Sequence, residues 1–175
     1  MGMKHMARII LGLMMFGGAL GQLHADLQDV AITATKKKID ESKNLSGQGE
    51  YVKTSQVIYA VTVQNKTFKE LKDITIKYMV FYDKANLGEK EQPGEVSVRG
   101  EQTIPVIGKS GTSKFETKPI SLTTASLESG WYFNDGAKNY AKDRIAGVWF
   151  RAYSGDKVIG EYANPSSMAS RVWKN

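Results

Sequence analysis

Apolar side chains in this chain recur at every second position, and that alternation limits the fold more than any other feature. Val57, Tyr59, Val61 and Val63 fall on one face of an extended segment, as do Ile74, Ile76, Tyr78, Val80 and Tyr82. Successive side chains of a strand point to opposite faces, so a period of two predicts strands half buried against a core. Val30, Ile32 and Ala34 open the series. From Ile145 to Tyr153 the pattern changes: Trp149 lies on one face and Val148, Phe150 and Ala152 on the other, so the segment is apolar on both and predicts a central strand.

Turn residues divide the remainder. Ser154-Gly155-Asp156-Lys157 predicts a tight hairpin into a strand over residues 158–163. Residues 40–55, polar and glycine-rich at the start, read as a loop entering the second strand, and 83–94, with Gly88, Pro93 and Gly94 amid charges, as an exposed connection. The segment 65–73 is too long for a two-residue turn, and its Phe68 and Leu71 are placed to plug the gap between two sheets. Short strands are predicted at 95–99 and 102–107, with Pro105 favouring an edge, and another from Ser113 to Leu122. Asn164 and Pro165 resemble a helix N-cap and first helical residue, so a short terminal helix is expected to carry Met168, Val172 and Trp173 onto the body. These elements add up to an all-β antiparallel sandwich of about seven to nine strands, with room for that short C-terminal helix.

The first 25 residues have a different character. Lys4 and Arg8 precede the apolar run Ile9 to Phe16, which continues through glycine and alanine to small residues before Asp26. A basic start, a short apolar middle and a small-residue exit predict a signal peptide over 1–25, leaving one domain over 26–175. Ala19-Leu20-Gly21 offers an earlier cleavage point. The run is shorter than the ~20 residues that span a bilayer, so no membrane span is expected after cleavage. The expected location is periplasmic, outer-membrane-associated or at the cell surface.

Export removes chemistry as well. Both histidines, His5 and His24, fall in the leader, and the chain has no cysteine. Zinc sites built from those residues are therefore excluded in the mature chain, as is a histidine base for a serine or threonine nucleophile. Paired carboxylates could still hydrolyse glycosides, with Glu128, Asp135 and Asp143 as candidates, but nothing in the sequence sets two of them face to face. No catalytic residue, metal site or cofactor is assigned, and an enzyme is not expected. Removing Lys4 and Arg8 leaves 22 basic residues against 18 acidic ones, a net charge of +4. These charges are scattered apart from Lys36-Lys37-Lys38, which read as a strand end discouraging edge pairing, so nucleic acid is not an expected partner.

Two stretches resemble a known family. Tyr59-Ala60-Val61-Thr62-Val63-Gln64-Asn65-Lys66-Thr67 followed by Leu71-Lys72-Asp73-Ile74-Thr75-Ile76-Lys77-Tyr78 is similar to the second and third strands of exported bacterial immunoglobulin-like domains. Residues 147–153 through 161–167 resemble the last hairpin of small exported proteins of this kind. Some of these accompany type IV pilus-like machinery at the outer membrane. The resemblance implies an immunoglobulin-like sandwich and an association with envelope or pilus proteins. The chain departs from antibody-type domains in lacking an inter-sheet disulfide.

The richest connection is 123–143, which contains Trp131, Tyr132, Asn134, Asp135 and Tyr140. Aromatic faces stack on sugar rings while amides and carboxylates bond hydroxyls, so these five residues are the candidate binding site. Asn134, Asp135, Asn139 and Asp143 are also oxygen ligands of the type calcium takes, but without the acidic repetition of a recognised loop. The expected function is a non-catalytic interaction or structural module of the bacterial cell envelope, pilus-associated by the resemblance. A carbohydrate-binding module using the aromatic loop is the alternative. Partners are then envelope or surface proteins, pilus components or glycans, and homo-oligomers through exposed strand edges remain open.

Overall fold

A computed structural model describes residues 28–46, 49–91 and 94–171. The signal peptide expected over 1–25 and the expected contacts of Val172 and Trp173 lie outside the described residues. Within them run nine strands: β1 (Val30–Ser46), β2 (Glu50–Asn65), β3 (Leu71–Lys84), β4 (Gly94–Ile107), β5 (Thr112–Glu116), β6 (Ile120–Leu127), β7 (Tyr140–Lys142), β8 (Arg144–Ser154) and β9 (Lys157–Asn164). One sheet has the order β1-β2-β6-β7 with β5 also paired to β2, the other the order β4-β3-β8-β9, and every pairing is antiparallel. The two pack as a β-sandwich, as the alternation predicts.

The core lies where the alternation is apolar. Val57, Tyr59, Val61 and Val63 of β2 meet Ile74, Ile76, Tyr78 and Val80 of β3 and Val148, Phe150 and Ala152 of β8. Burying each large side chain contributes roughly 1.5–3 kcal/mol, which is how the domain holds without a disulfide. Phe150 sits at the centre, its ring 5.6 Å from that of Tyr78, 6.2 Å from Tyr162 and 6.4 Å from Tyr59. Burial, and then neighbouring Tyr162, raise the Tyr59 hydroxyl above its ordinary pKa. As expected, β8 is central, and a two-residue turn at Gly155-Asp156 joins it to β9.

A second, smaller cluster covers the outer face of the β4-β3-β8-β9 sheet. Met168 closes over Met79, Phe81 and Trp149 from a 3₁₀ turn, Ser166–Ser170. The expected terminal helix is thus only this turn. Pro165 lies before it in an extended conformation (φ −62°, ψ 161°) with no side-chain cap. Serines compete with helical hydrogen bonding, and Ser170 Oγ donates to the Ser167 carbonyl at 2.7 Å. Gly147 makes room for the turn, since a Cβ there would fall 2.5 Å from Met168 Cε.

Several boundaries differ from expectation. Residues 40–46 are strand, paired with 50–56, so β1 and β2 form one long hairpin and Lys36-Lys37-Lys38 lie in mid-strand. The two short strands around Gly100 are one continuous β4, at an edge as Pro105 required. The strand expected from Ser113 to Leu122 is interrupted at 117–119, where Thr117 Oγ1 accepts from Tyr59 N at 2.9 Å and Lys118 N donates to Tyr78 Oη at 3.1 Å. Phe68 does not plug the sandwich; it is 85 % exposed, whereas Leu71 packs on the core. Asn65 closes that end, its buried amide donating to the Lys69 and Gly108 carbonyls at 2.7 and 2.9 Å.

The sheet edges differ in how they are closed. The start of β1 lies against β9, so closely that a Cβ on Gly160 would sit 2.5 Å from the Val30 carbonyl oxygen. Farther along, β1 carries Lys36-Lys37-Lys38 and a bulge between Lys38 and Asp40, both of which discourage strand addition.

Candidate functional site

The β1–β2 hairpin continues past the buried body, and β6 and β7 accompany it. Across this extension Leu45 pairs with Tyr51, Tyr51 with Ser126 and Ser126 with Tyr140. Two residues along each strand, Lys43 pairs with Lys53, Lys53 with Thr124 and Thr124 with Lys142. Directly opposed residues share a face, so an aromatic row and a basic row lie side by side. The face is the one that, farther along β2, carries Val57 to Val63 into the core. Here it is open: Tyr51 and Tyr140 are 47 % and 48 % exposed.

The connection expected over 123–143 is shorter, because β6 runs to Leu127 and β7 takes Tyr140–Lys142, leaving residues 128–139. Glu128 N donates to the Gly49 carbonyl at 2.8 Å and Leu127 N to that of Asn139 at 3.0 Å, tying both ends of the loop to the sheet. Half-buried Phe133 packs on Gly88, whose N–H donates to the Lys138 carbonyl at 3.1 Å. Trp131 and Glu128 flank the hairpin turn: a Cβ at Gly49 would lie 3.5 Å from the Trp131 ring and 3.6 Å from a Glu128 carboxylate oxygen. Tyr51 Oη donates to the other Glu128 oxygen at 3.5 Å.

Of the five predicted residues, Tyr140 therefore lies in a strand facing the same way as Tyr51, and Trp131 stands at the same end beside Glu128 and Gly49. Trp131 and Tyr132 are 60 % and 75 % exposed. Asn134 is exposed, and Asp135 belongs to the loop's own turn, accepting from Ala137 N at 3.0 Å with Lys90 at 3.4 Å. That N–H, followed by Lys90, holds the Asp135 carboxyl below the usual range. Asp143 is buried, its two oxygens accepting from Ala85 N at 3.0 Å and Thr123 N at 2.8 Å, so it fastens β6 and the β3–β4 connection together. Of the acids considered for hydrolysis, Glu128 faces Tyr51, Asp135 sits in its own turn and Asp143 holds Ala85 and Thr123.

Sequence reasoning missed Tyr51, Lys43, Lys53 and Lys142. A signal was present: Tyr51-Val52-Lys53 and Tyr140-Ala141-Lys142 share a Tyr-x-Lys spacing that puts ring and ammonium on one face of a strand. Chemically the extension offers rings for stacking, cations for acidic groups and Glu128 as an acceptor for hydroxyls.

No family model matches the chain, and no curated protein matches it. Among solved structures, it is similar to Northeast Structural Genomics Consortium target SoR45, with 11 % identity and a TM-score of 0.36 over 77 % of this chain and 85 % of that one. A fainter likeness joins it to DesR, a β-glucosidase from Streptomyces venezuelae solved in complex with D-glucose, with 9 % identity, a TM-score of 0.21 and coverage of 74 % of this chain but 14 % of the enzyme. Likenesses this slight carry no argument about activity.

Proposed function

We propose that the protein is an exported, non-catalytic binding module of the bacterial cell envelope that takes glycan on the open face of its hairpin extension. The observation that supports this most is that β-pairing brings Tyr51 level with exposed Tyr140 at the end of the sheet where exposed Trp131 and Glu128 flank the hairpin turn. Exposed rings next to a hydroxyl-bonding carboxylate suit sugar, whose rings are apolar on their faces and polar at their edges.

The test is retention on immobilised bacterial polysaccharide or mucin. The parent is expected to be retained, and Trp131→Ala with Tyr51→Ala to weaken retention by about tenfold or more while the unfolding midpoint stays unchanged. Retention equal to the parent's would sink this site.

A protein partner, including a pilus component, is the second reading, favoured by 85 % exposed Phe68 at the opposite end of the sandwich. Cross-linking in fractionated cells followed by identification of the attached proteins separates the two. Capture of one envelope protein, lost in Phe68→Ser and indifferent to added sugar, would favour it.

A further inference from the structure

Resting on the glycan reading, the two rows also specify what kind of glycan. Lys43 and Lys142 are exposed and stand at opposite ends of the basic row. Between them Lys53 is occupied by Glu41 at 2.8 Å, and Glu41 also binds Lys38. No salt bridge holds Lys43, Lys138, Lys142 or Arg144 among the described residues. The last three converge with Tyr140 on a recess of about 350 Å³, where Asp83 is the acidic lining group.

The spacing suits a linear ligand. Tyr51 and Tyr140 are two strands apart, ~10 Å at the usual strand separation, and the basic row runs parallel to the aromatic one ~7 Å away, two residues along the strands. We propose that this face binds an acidic polysaccharide, laid across the strands with sugar rings against Tyr51 and Tyr140 and carboxylates toward Lys43, Lys142 and the Lys138–Arg144 recess. Charge complementarity selects the anion, and the adjoining rings select a polymer of rings. A flat anionic surface would instead bring its charge against Glu128 and Asp135 at the same end. The chain's scattered positive charge lacks the extended stripe that nucleic acid needs.

The experiment titrates the purified domain with polygalacturonate oligomers and with the same oligomers methyl-esterified, which removes charge and keeps the backbone. Anionic vesicles and single-stranded DNA serve as further probes. The acidic oligomer should bind about tenfold more tightly than its ester, and Lys43→Ser with Lys142→Ser should cut that preference to about threefold or less, the remainder resting on Lys138 and Arg144. Tyr51→Ala with Tyr140→Ala should weaken both oligomers. The four side chains are exposed, so unfolding midpoints should match the parent's. Equal binding of acid and ester would overturn the acidic assignment and leave the glycan reading standing. Acid binding indifferent to the tyrosine changes would reduce the face to ion exchange and overturn the assignment as well. Binding confined to vesicles or DNA, or to no probe, would overturn both.

Discussion

Along β2 the odd-numbered side chains keep one direction from Tyr51 to Val63, yet Val57, Tyr59, Val61 and Val63 are buried while Tyr51 is exposed and Lys53 and Ser55 are half covered. The backbone is the same strand, with continuous pairing to β1 on one side and to β6 and then β5 on the other. What differs is the layer opposite: β3 and β8 stand against the second half, and the first half has outrun it. Period-two alternation therefore sets which side chains share a face, and only the facing sheet decides whether that face is core or open surface.

The largest effect that would sharpen this contrast is expected at the centre of the body. Phe150→Ala removes the ring shared by Tyr59, Tyr78 and Tyr162, and should cost about 3–5 kcal/mol in urea unfolding. A loss within the range of surface substitutions would mean that the body is not held from its centre.

The joint between the regions should respond next. Asp143→Ala strands the N–H groups of Ala85 and Thr123, each now bonded to the carboxylate, and should cost about 2–4 kcal/mol. Amide exchange should rise at those two sites first. Unchanged protection there would show that the staple is dispensable and the extension anchored elsewhere.

The smallest effect is expected on the extension. Lys38, then Lys53, hold the Glu41 carboxyl at about 2, against an ordinary 4.5. A depressed carboxylate contributes its pairing above the unfolded value, and that contribution is lost as pH falls from about 4.5 toward about 2. Side-chain carboxyl shifts in Glu41 should titrate near the lower figure and move upward in Lys53→Ala. The body's unfolding should not follow that titration, because Glu41 is open to solvent and its pairing is screened. Global unfolding that tracked Glu41 would erase the distinction between body and extension.

The alternation made the body legible. Tyr59 and Tyr78 fall in the core, β8 is central and Pro105 marks an edge, because each follows from local period or backbone chemistry. The extension was misread as a loop for the same reason: with no facing sheet, Asp40 to Ser55 have no need for an apolar side, so strand and loop look alike in composition. Phe68 was misplaced because an apolar residue in a connection carries no record of which way it turns. Trp131 and Tyr140 were visible as aromatics, but their association with Tyr51 and Glu128 depends on pairings across more than one strand, which no local pattern contains.

By itself, then, the sequence determined an all-β sandwich, its packed strands and a chain whose described part has no histidine or cysteine, since these depend on side-chain type and a repeat of two. The tertiary structure alone decided that β1 and β2 outrun the opposing sheet and that two Tyr-x-Lys segments lie level on one face. The register between strands distant in sequence sets that alignment, and among the described residues no strand of the opposing sheet covers it.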